Sequence, residues 1–191
     1  MKKKERLNKY KQLLVEKNQN LNLVSKKQEK NLDYHIRECL SAAPLLRETI
    51  IDLGSGGGLP GILLSIESPN KKIFLVEASQ KKASFLLHTK NLLELKNLEV
   101  INKRGESLDP EEFPQPLDII TRAFGEAKLT IEITRKFLEI KKNKLKLMKT
   151  EGWEKREPLP KNYEVKKTEE LPINERDKKR ILVTIVKKLN A

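Results

Sequence analysis

The chain has 191 residues, 37% of them hydrophobic, and its 40 Lys and Arg against 27 Asp and Glu leave a net charge of +13. That length suits one domain, or one domain with a short appendage, and the cationic excess points to a polyanionic partner, with RNA, DNA and acidic membrane all open on charge alone. A single cysteine, Cys39, excludes an intrachain disulfide, and two histidines are too few for a Cys/His zinc cluster. No apolar run reaches the length of a membrane span, and the lysine-rich start lacks an apolar signal core, so the expectation is a soluble, intracellular, metal-free chain.

In chain order, Leu7, Tyr10, Leu13, Leu14 and Lys17 recur at helical spacing and predict an amphipathic first helix. The pattern breaks at Asn18, Asn20 and Asn22. A second helix is predicted from about Gln28 to Leu46, with Leu32, His35, Ile36, Cys39 and Leu40 on one face. From Thr49 the rhythm becomes strand, glycine loop, helix, strand, helix, strand. Strands are predicted at 50–53, 73–76, 98–101, 117–121 and 145–148. Pro60 falls where a first helical residue belongs, and Pro69 stops that helix. Ser79 is placed to cap the next helix, whose inward face would carry Ala83, Leu86, Leu87 and Leu93. A further helix fits 126–138. Two more strands, at 163–167 and 181–186, are joined by a polar, turn-rich connection. Short apolar strands alternating with helices imply a parallel sheet covered on both faces.

The charge is uneven along this order. Residues 1–30 carry +7, residues 31–140 carry −2, and residues 141–191 carry +8. The middle reads as an ordinary core, with basic material at both ends that either holds a polyanion or simply keeps the surface solvated.

Five of the eight glycines fall between Gly54 and Gly61, directly after an apolar strand and before a helix. There glycine permits positive φ and close approach of backbone to a ligand. A phosphate-binding P-loop would end in Gly-Lys-Ser/Thr, whereas Leu59, Pro60 and Gly61 stand here. The dinucleotide pattern G-x-G-x-x-G is satisfied formally from Gly56, so a nicotinamide ligand stays open. The G-x-G-x-G form, with Asp52 and Glu77 closing the first two strands, suits S-adenosylmethionine. Glu77, 23 positions beyond Gly54, can accept hydrogen bonds from both ribose hydroxyls. Asp52 is either a loop-capping carboxylate or a source of negative potential for the cationic cofactor.

These residues, together with Asn22–Ser25, His35–Glu38, Ala78 and Ser79 with Lys81 and Lys82, Arg104–Glu106, Thr121–Phe124 and Met148–Lys149, run in order over almost the whole chain. The set resembles the bacterial small-subunit ribosomal RNA methyltransferase G family, also called glucose-inhibited division protein B. Tyr34, Glu38, Cys39, Glu77 and Thr150 depart from the family's usual residues. The resemblance implies a Rossmann-like class I S-adenosylmethionine-dependent methyltransferase: a mostly parallel seven-stranded sheet, helices on both faces, and a short amino-terminal helical extension. It further implies methylation of guanine N7 in the 530 loop of 16S rRNA, in the cytoplasm, on the 30S subunit or its assembly intermediate, by a monomer. Residues 1–47 would form an RNA-facing extension packed on the core, and residues 48–191 the catalytic domain with a basic carboxyl-terminal hairpin.

Expected roles follow from that resemblance. Gly54, Gly56, Gly58 and Leu59 would hold the methionine end of the cofactor, Glu77 the ribose, and Gly105 and Glu106 the adenine. Arg122, at the carboxyl end of the fourth strand, would clamp an RNA phosphate or the cofactor carboxylate, or serve as a structural salt bridge. Phe124 could stack on the target base or pack in the core. Lys149 is a candidate phosphate contact, and His35 a substrate-side candidate better suited to a packed helix residue. No catalytic side chain is expected, because N7 has a free lone pair and needs no general base; proximity and orientation would suffice. The Asn/Asp-Pro-Pro-aromatic motif common in enzymes that methylate exocyclic amines is missing after the fourth strand. Open alternatives are a methyltransferase acting on protein or a small molecule, an RNA-binding relative without catalysis, and a nicotinamide oxidoreductase.

Overall fold

Seven segments assemble into one sheet: β1 (Thr49–Leu53), β2 (Lys72–Val76), β3 (Leu98–Ile101), β4 (Asp118–Arg122), β5 (Lys144–Thr150), β6 (Tyr163–Leu171) and β7 (Arg180–Lys187). The structure is a computed structural model and describes residues 1–173 and 179–188. The spatial order is β3, β2, β1, β4, β5, β7, β6. β1 to β5 pair in parallel, and β7 runs antiparallel between β5 and β6. β1 is central and buried at all five positions, which explains its unbroken apolar run around Asp52. β6 is longer than its apolar signal suggested, because exposed residues continue the pairing with β7 out to Leu171. The polar connection expected between these last strands lies partly outside the described residues.

The helices are α1 (Lys3–Leu21), α2 (Lys26–Lys30), α3 (Leu32–Ser41), α4 (Gly61–Glu67), α5 (Gln80–Leu92) and α6 (Ala127–Leu138). Strand alternation divides the core in two. Ile50, Ile73, Leu75 and Ile120 face Tyr10, Leu14, Ile36, Leu63 and Leu86 from α1, α3, α4 and α5. Ile51, Phe74, Ile119 and Leu147 face Ile131 and Phe137 of α6, with Phe113 and Trp153 completing that layer.

The single helix expected over 28–46 is two helices and a 3-10 turn. Ser25 accepts from the Gln28 N–H, and the Gln28 side chain accepts from the Ser25 N–H, so a helix starts at Lys26. It ends at Asn31, whose φ of −118° and ψ of 33° are not helical and whose side chain donates to the Lys27 carbonyl. Smaller corrections concern α4 and α5. Pro60 is the residue before α4 rather than its first. Ser79 precedes α5, but its hydroxyl makes no cap. Leu87 is 49% exposed, while Ala83, Phe85, Leu86 and Thr89 are buried, so the inward face of α5 is rotated from the expected one.

Candidate functional site

The carboxyl ends of β1, β2 and β4 open onto a cavity of about 940 Å³, beneath a wall contributed by the turn between α1 and α2. Open parallel sheets gather ligands at this position, where neighbouring crossovers leave in opposite directions. Gly54, Ser55, Gly56, Gly57 and Leu59 form the floor, Glu77 one side, and Gly105 and Glu106 another. Asn22, Leu23, Val24 and Ser25 enclose the glycine loop from the amino-terminal side.

Three loop residues have left-handed backbone: Gly54 at φ +73°, Gly56 at +53° and Gly58 at +91°. A Cβ on Gly54 would fall inside the Phe124 ring, so the half-buried phenyl group and the loop are mutually shaped. Gly58 does not line the cavity. It turns the chain into α4, donates to the Ser55 carbonyl at 2.7 Å, and leaves room for Ile62 behind it. Gly57 takes the expected place on the cavity wall. The three-glycine spacing identified the loop, but the third glycine serves helix packing.

The Glu77 carboxylate is held from two directions. Oε2 accepts from the Gly56 N–H at 2.9 Å, and Oε1 accepts from the Ser79 N–H at 2.8 Å. Each oxygen keeps a further lone pair, so two backbone amides fix the group without saturating it. Asp52 is 1% exposed and lies beneath the loop, where Oδ2 accepts from the Gly61 N–H at 2.9 Å. Burial pushes its carboxyl up to about 7 against the pull of that amide. Its structural work is thus to tie the start of α4 to β1.

Arg122 turns into a buried ionic cluster. Its Nε donates to Glu38 Oε2 at 3.2 Å, and its side chain is 6% exposed. Arg180 of β7 bonds Glu38 Oε1. His35 Nδ1 lies 2.7 Å from an Arg122 nitrogen and 3.2 Å from Glu38 Oε2. Since arginine only donates, Nδ1 accepts from it, and the imidazole proton belongs on Nε2. Burial alone would raise the Glu38 pKa, but the Arg122 and Arg180 guanidinium groups against it hold it down to about 2. The residue joins three elements: α3, β4 and β7. The guanidinium expected to reach phosphate or cofactor is therefore engaged here, and only the Arg122 segment of the wall borders the cavity. Lys149 is engaged too, donating to Glu157 at 2.6 Å and to the Gly125 carbonyl at 3.2 Å. Cys39 is fully buried, and burial pushes its thiol up to about 12, so it cannot supply a thiolate at neutral pH.

Sequence reasoning missed Tyr10. Its buried hydroxyl donates to the Gly57 carbonyl at 2.7 Å, clamping α1 onto the glycine loop. A Cβ on Gly57 would stand 2.9 Å from Leu14 of the same helix. Helical periodicity placed Tyr10 and Leu14 on a buried face but carried no indication of what lay opposite.

The strand order, the antiparallel β7, the glycine loop after β1 and the carboxylate after β2 define a class I S-adenosylmethionine-dependent methyltransferase fold. Two solved structures share it. MtNAS in complex with S-adenosylmethionine matches with a TM-score of 0.60 and 17% identity, over 98% of this chain and 76% of that one. An rRNA methylase from Streptococcus thermophilus matches at 0.50 and 18%, over 87% of this chain and 100% of that one. Within that class the sequence is more specific: residues 3–183 match the rRNA small subunit methyltransferase G family, and the chain belongs to it. The ribosomal RNA small subunit methyltransferase G of Brachyspira hyodysenteriae is 37% identical over 195 residues, covering 96% of this chain and 90% of the relative.

Proposed function

We propose that this rRNA methyltransferase transfers a methyl group from S-adenosylmethionine to N7 of a guanine in the 530 loop of 16S rRNA. The cavity supports the cofactor: its volume of about 940 Å³ falls within the ~300–1,000 Å³ usual for small-molecule sites. The fixed Glu77 carboxylate suits a ribose diol, and Gly54, Gly56 and Leu59 leave the floor open to the amino-acid end. Gly105 and Glu106 suit the adenine. Gly58 supports this floor from behind. Bound there, the cofactor supplies a methyl electrophile that needs only a lone pair as its acceptor.

The observation that supports the N7 reading is that, among the described residues, the side chains expected on the substrate side are already engaged. His35 and Arg122 are committed to Glu38, Lys149 to Glu157, and Cys39 is sealed in the core. Guanine N7 gives up no proton on methylation, so such a site is adequate for it. The chain's contribution is then to orient the base and to accommodate the positive charge the product gains, with Phe124 the candidate stacking surface. The same reading puts the enzyme in the cytoplasm, acting as a monomer on the 30S subunit or its assembly intermediate, with residues 1–47 facing RNA.

Primer extension across 16S rRNA from cells lacking the gene is the test. The 530-loop guanine should lose its methyl group there and regain it on complementation. Persistent methylation would end the substrate assignment. Loss of S-adenosylmethionine affinity in Glu77→Ala, with no affinity for NAD in either protein, would separate the cofactor reading from the oxidoreductase alternative.

A further inference from the structure

We infer that the RNA backbone is gripped at the mouth of the cofactor cavity, by Lys26 and Lys30 of α2, Lys82 of α5 and Arg104 after β3, and not by the basic carboxyl-terminal hairpin. The inference rests on the rRNA-methyltransferase reading and adds the surface that receives the substrate. All four side chains border the cavity. Lys26, Lys30 and Arg104 are exposed and Lys82 is half-buried. None of the four has an ion-pair or hydrogen-bonding side-chain partner among the described residues.

Several cations of the carboxyl-terminal region are treated differently. Lys149 pairs with Glu157, Lys167 with Glu169, Lys179 with Glu170, and Lys187 with Glu139. Lys146 is buried and donates to the Thr184 hydroxyl at 2.9 Å. Several cations of the carboxyl-terminal hairpin are therefore held by carboxylates, while Lys166 and Lys188 stay exposed. Around the cavity both signs are present: Glu29, Glu77 and Glu106 border it, and the unpaired cations come from three segments that are far apart in sequence. The carboxylates suit a cationic cofactor, while the cations attract phosphate. Lys82 also sits in the first turn of α5, with Lys81 beside it and no acidic residue there to offset them. The helix dipole disfavours cations at that end, so an anionic partner would remove an existing conflict. Four cations on separate segments can hold the backbone on both sides of one nucleotide, which leaves that base free to enter the cavity.

The test uses full-length protein, 30S particles from cells lacking the gene, and three double variants: Lys26→Gln with Lys30→Gln, Lys82→Gln with Arg104→Gln, and Lys166→Gln with Lys188→Gln on the hairpin. Affinity for the particles is measured across a range of KCl, and S-adenosylmethionine affinity by calorimetry. Each mouth pair should flatten the plot of log affinity against log salt by about 1.4–1.8, and weaken binding about tenfold at low salt. Cofactor affinity should stay within about twofold, as phosphate contacts act through screening charge and not through the pocket floor. The hairpin pair should leave the slope unchanged. A flattened slope in the hairpin pair, or an unchanged slope in both mouth pairs with cofactor binding intact, overturns the inference. Because the readout is binding, it stands apart from the base assignment: wild-type protein that binds particles but leaves the 530-loop guanine unmodified would sink the proposed reaction alone.

Discussion

The two ends of the chain carry almost the same charge, +7 over residues 1–30 and +8 over residues 141–191, yet the fold employs them differently. The amino-terminal helices lie over the glycine loop, with Tyr10 bonded to Gly57 and the α1–α2 turn walling the cavity. The carboxyl-terminal strands close the far side of the sheet, where β6 is the edge and lies four strands from β1. At ~4.8 Å per strand that is roughly 19 Å from the loop. Exposed charges along β6, including Lys166, Lys167 and Glu170, give the edge strand the polar character that discourages pairing with another chain. Nearly equal net charge thus corresponds to unlike positions: a wall of the cavity at one end, and a protected sheet edge at the other.

The largest effect is expected where the two regions meet. Glu38→Ala leaves the buried Arg122 and the half-buried Arg180 without their carboxylate and should cost ~3–5 kcal/mol of stability, read from urea unfolding. A loss below ~1 kcal/mol would mean that the cluster does not join the ends. The acid limb is diagnostic as well. Because the folded Glu38 pKa is depressed from 4.5 to about 2, its stabilisation is present above pH 4.5 and disappears as pH falls toward 2. The alanine variant should lack that part of the acid slope.

Next in size is Tyr10→Phe, which strips the Gly57 carbonyl of its donor and should cost ~1–3 kcal/mol. Cofactor affinity should fall with it, measured by calorimetry, while the hairpin's amide-exchange protection stays unchanged. Equal loosening of both regions would erase the distinction drawn above.

Asp52→Asn keeps an oxygen for the Gly61 N–H and removes the titration. A carboxyl pushed up to about 7 by burial stabilises the fold fully below its unfolded pKa near 3.8, and loses that contribution as pH rises through 7. From pH 4 to pH 8 the wild type should therefore lose stability relative to the asparagine variant, by more than ~1 kcal/mol. Parallel pH profiles would show that Asp52 is not strained beneath the loop. The smallest effect belongs to Lys166→Gln on β6, within ~0.5 kcal/mol of wild type in urea unfolding. A larger loss would give the edge a stabilising role that its exposure denies.

Much of this was legible from the chain. Parallel strands are buried on both faces, so their short apolar runs stand out, and the glycine cluster between Asp52 and Gly61 marked the ligand end of the sheet. What remained hidden depended on distant partners. Nothing local says that Arg122 will meet Glu38 and His35, or that Tyr10 will meet Gly57. Leu87 was misplaced because Ala83 and Leu86 allow two helix faces, and the buried Thr89, bonded to the Phe85 carbonyl, selects the other. One local signal was overlooked: Ser25 and Gln28 form a capping box three residues apart, which starts a helix before Asn31 ends it.

The Glu38 cluster also sets an order of assembly. Arg122 follows Glu38 by 84 positions, and Arg180 by 142. A chain emerging from its amino terminus holds an unmatched carboxylate in α3 until β4 is made, and the second partner arrives only with the last strand. Contacts of such sequence separation close late in folding and slow it. Helix α3 is therefore among the earliest parts of the protein to be made and among the last to be locked in place. A nascent chain stopped before Arg180 should already carry the glycine loop with α1 clamped on it, while α3 is held by Arg122 alone.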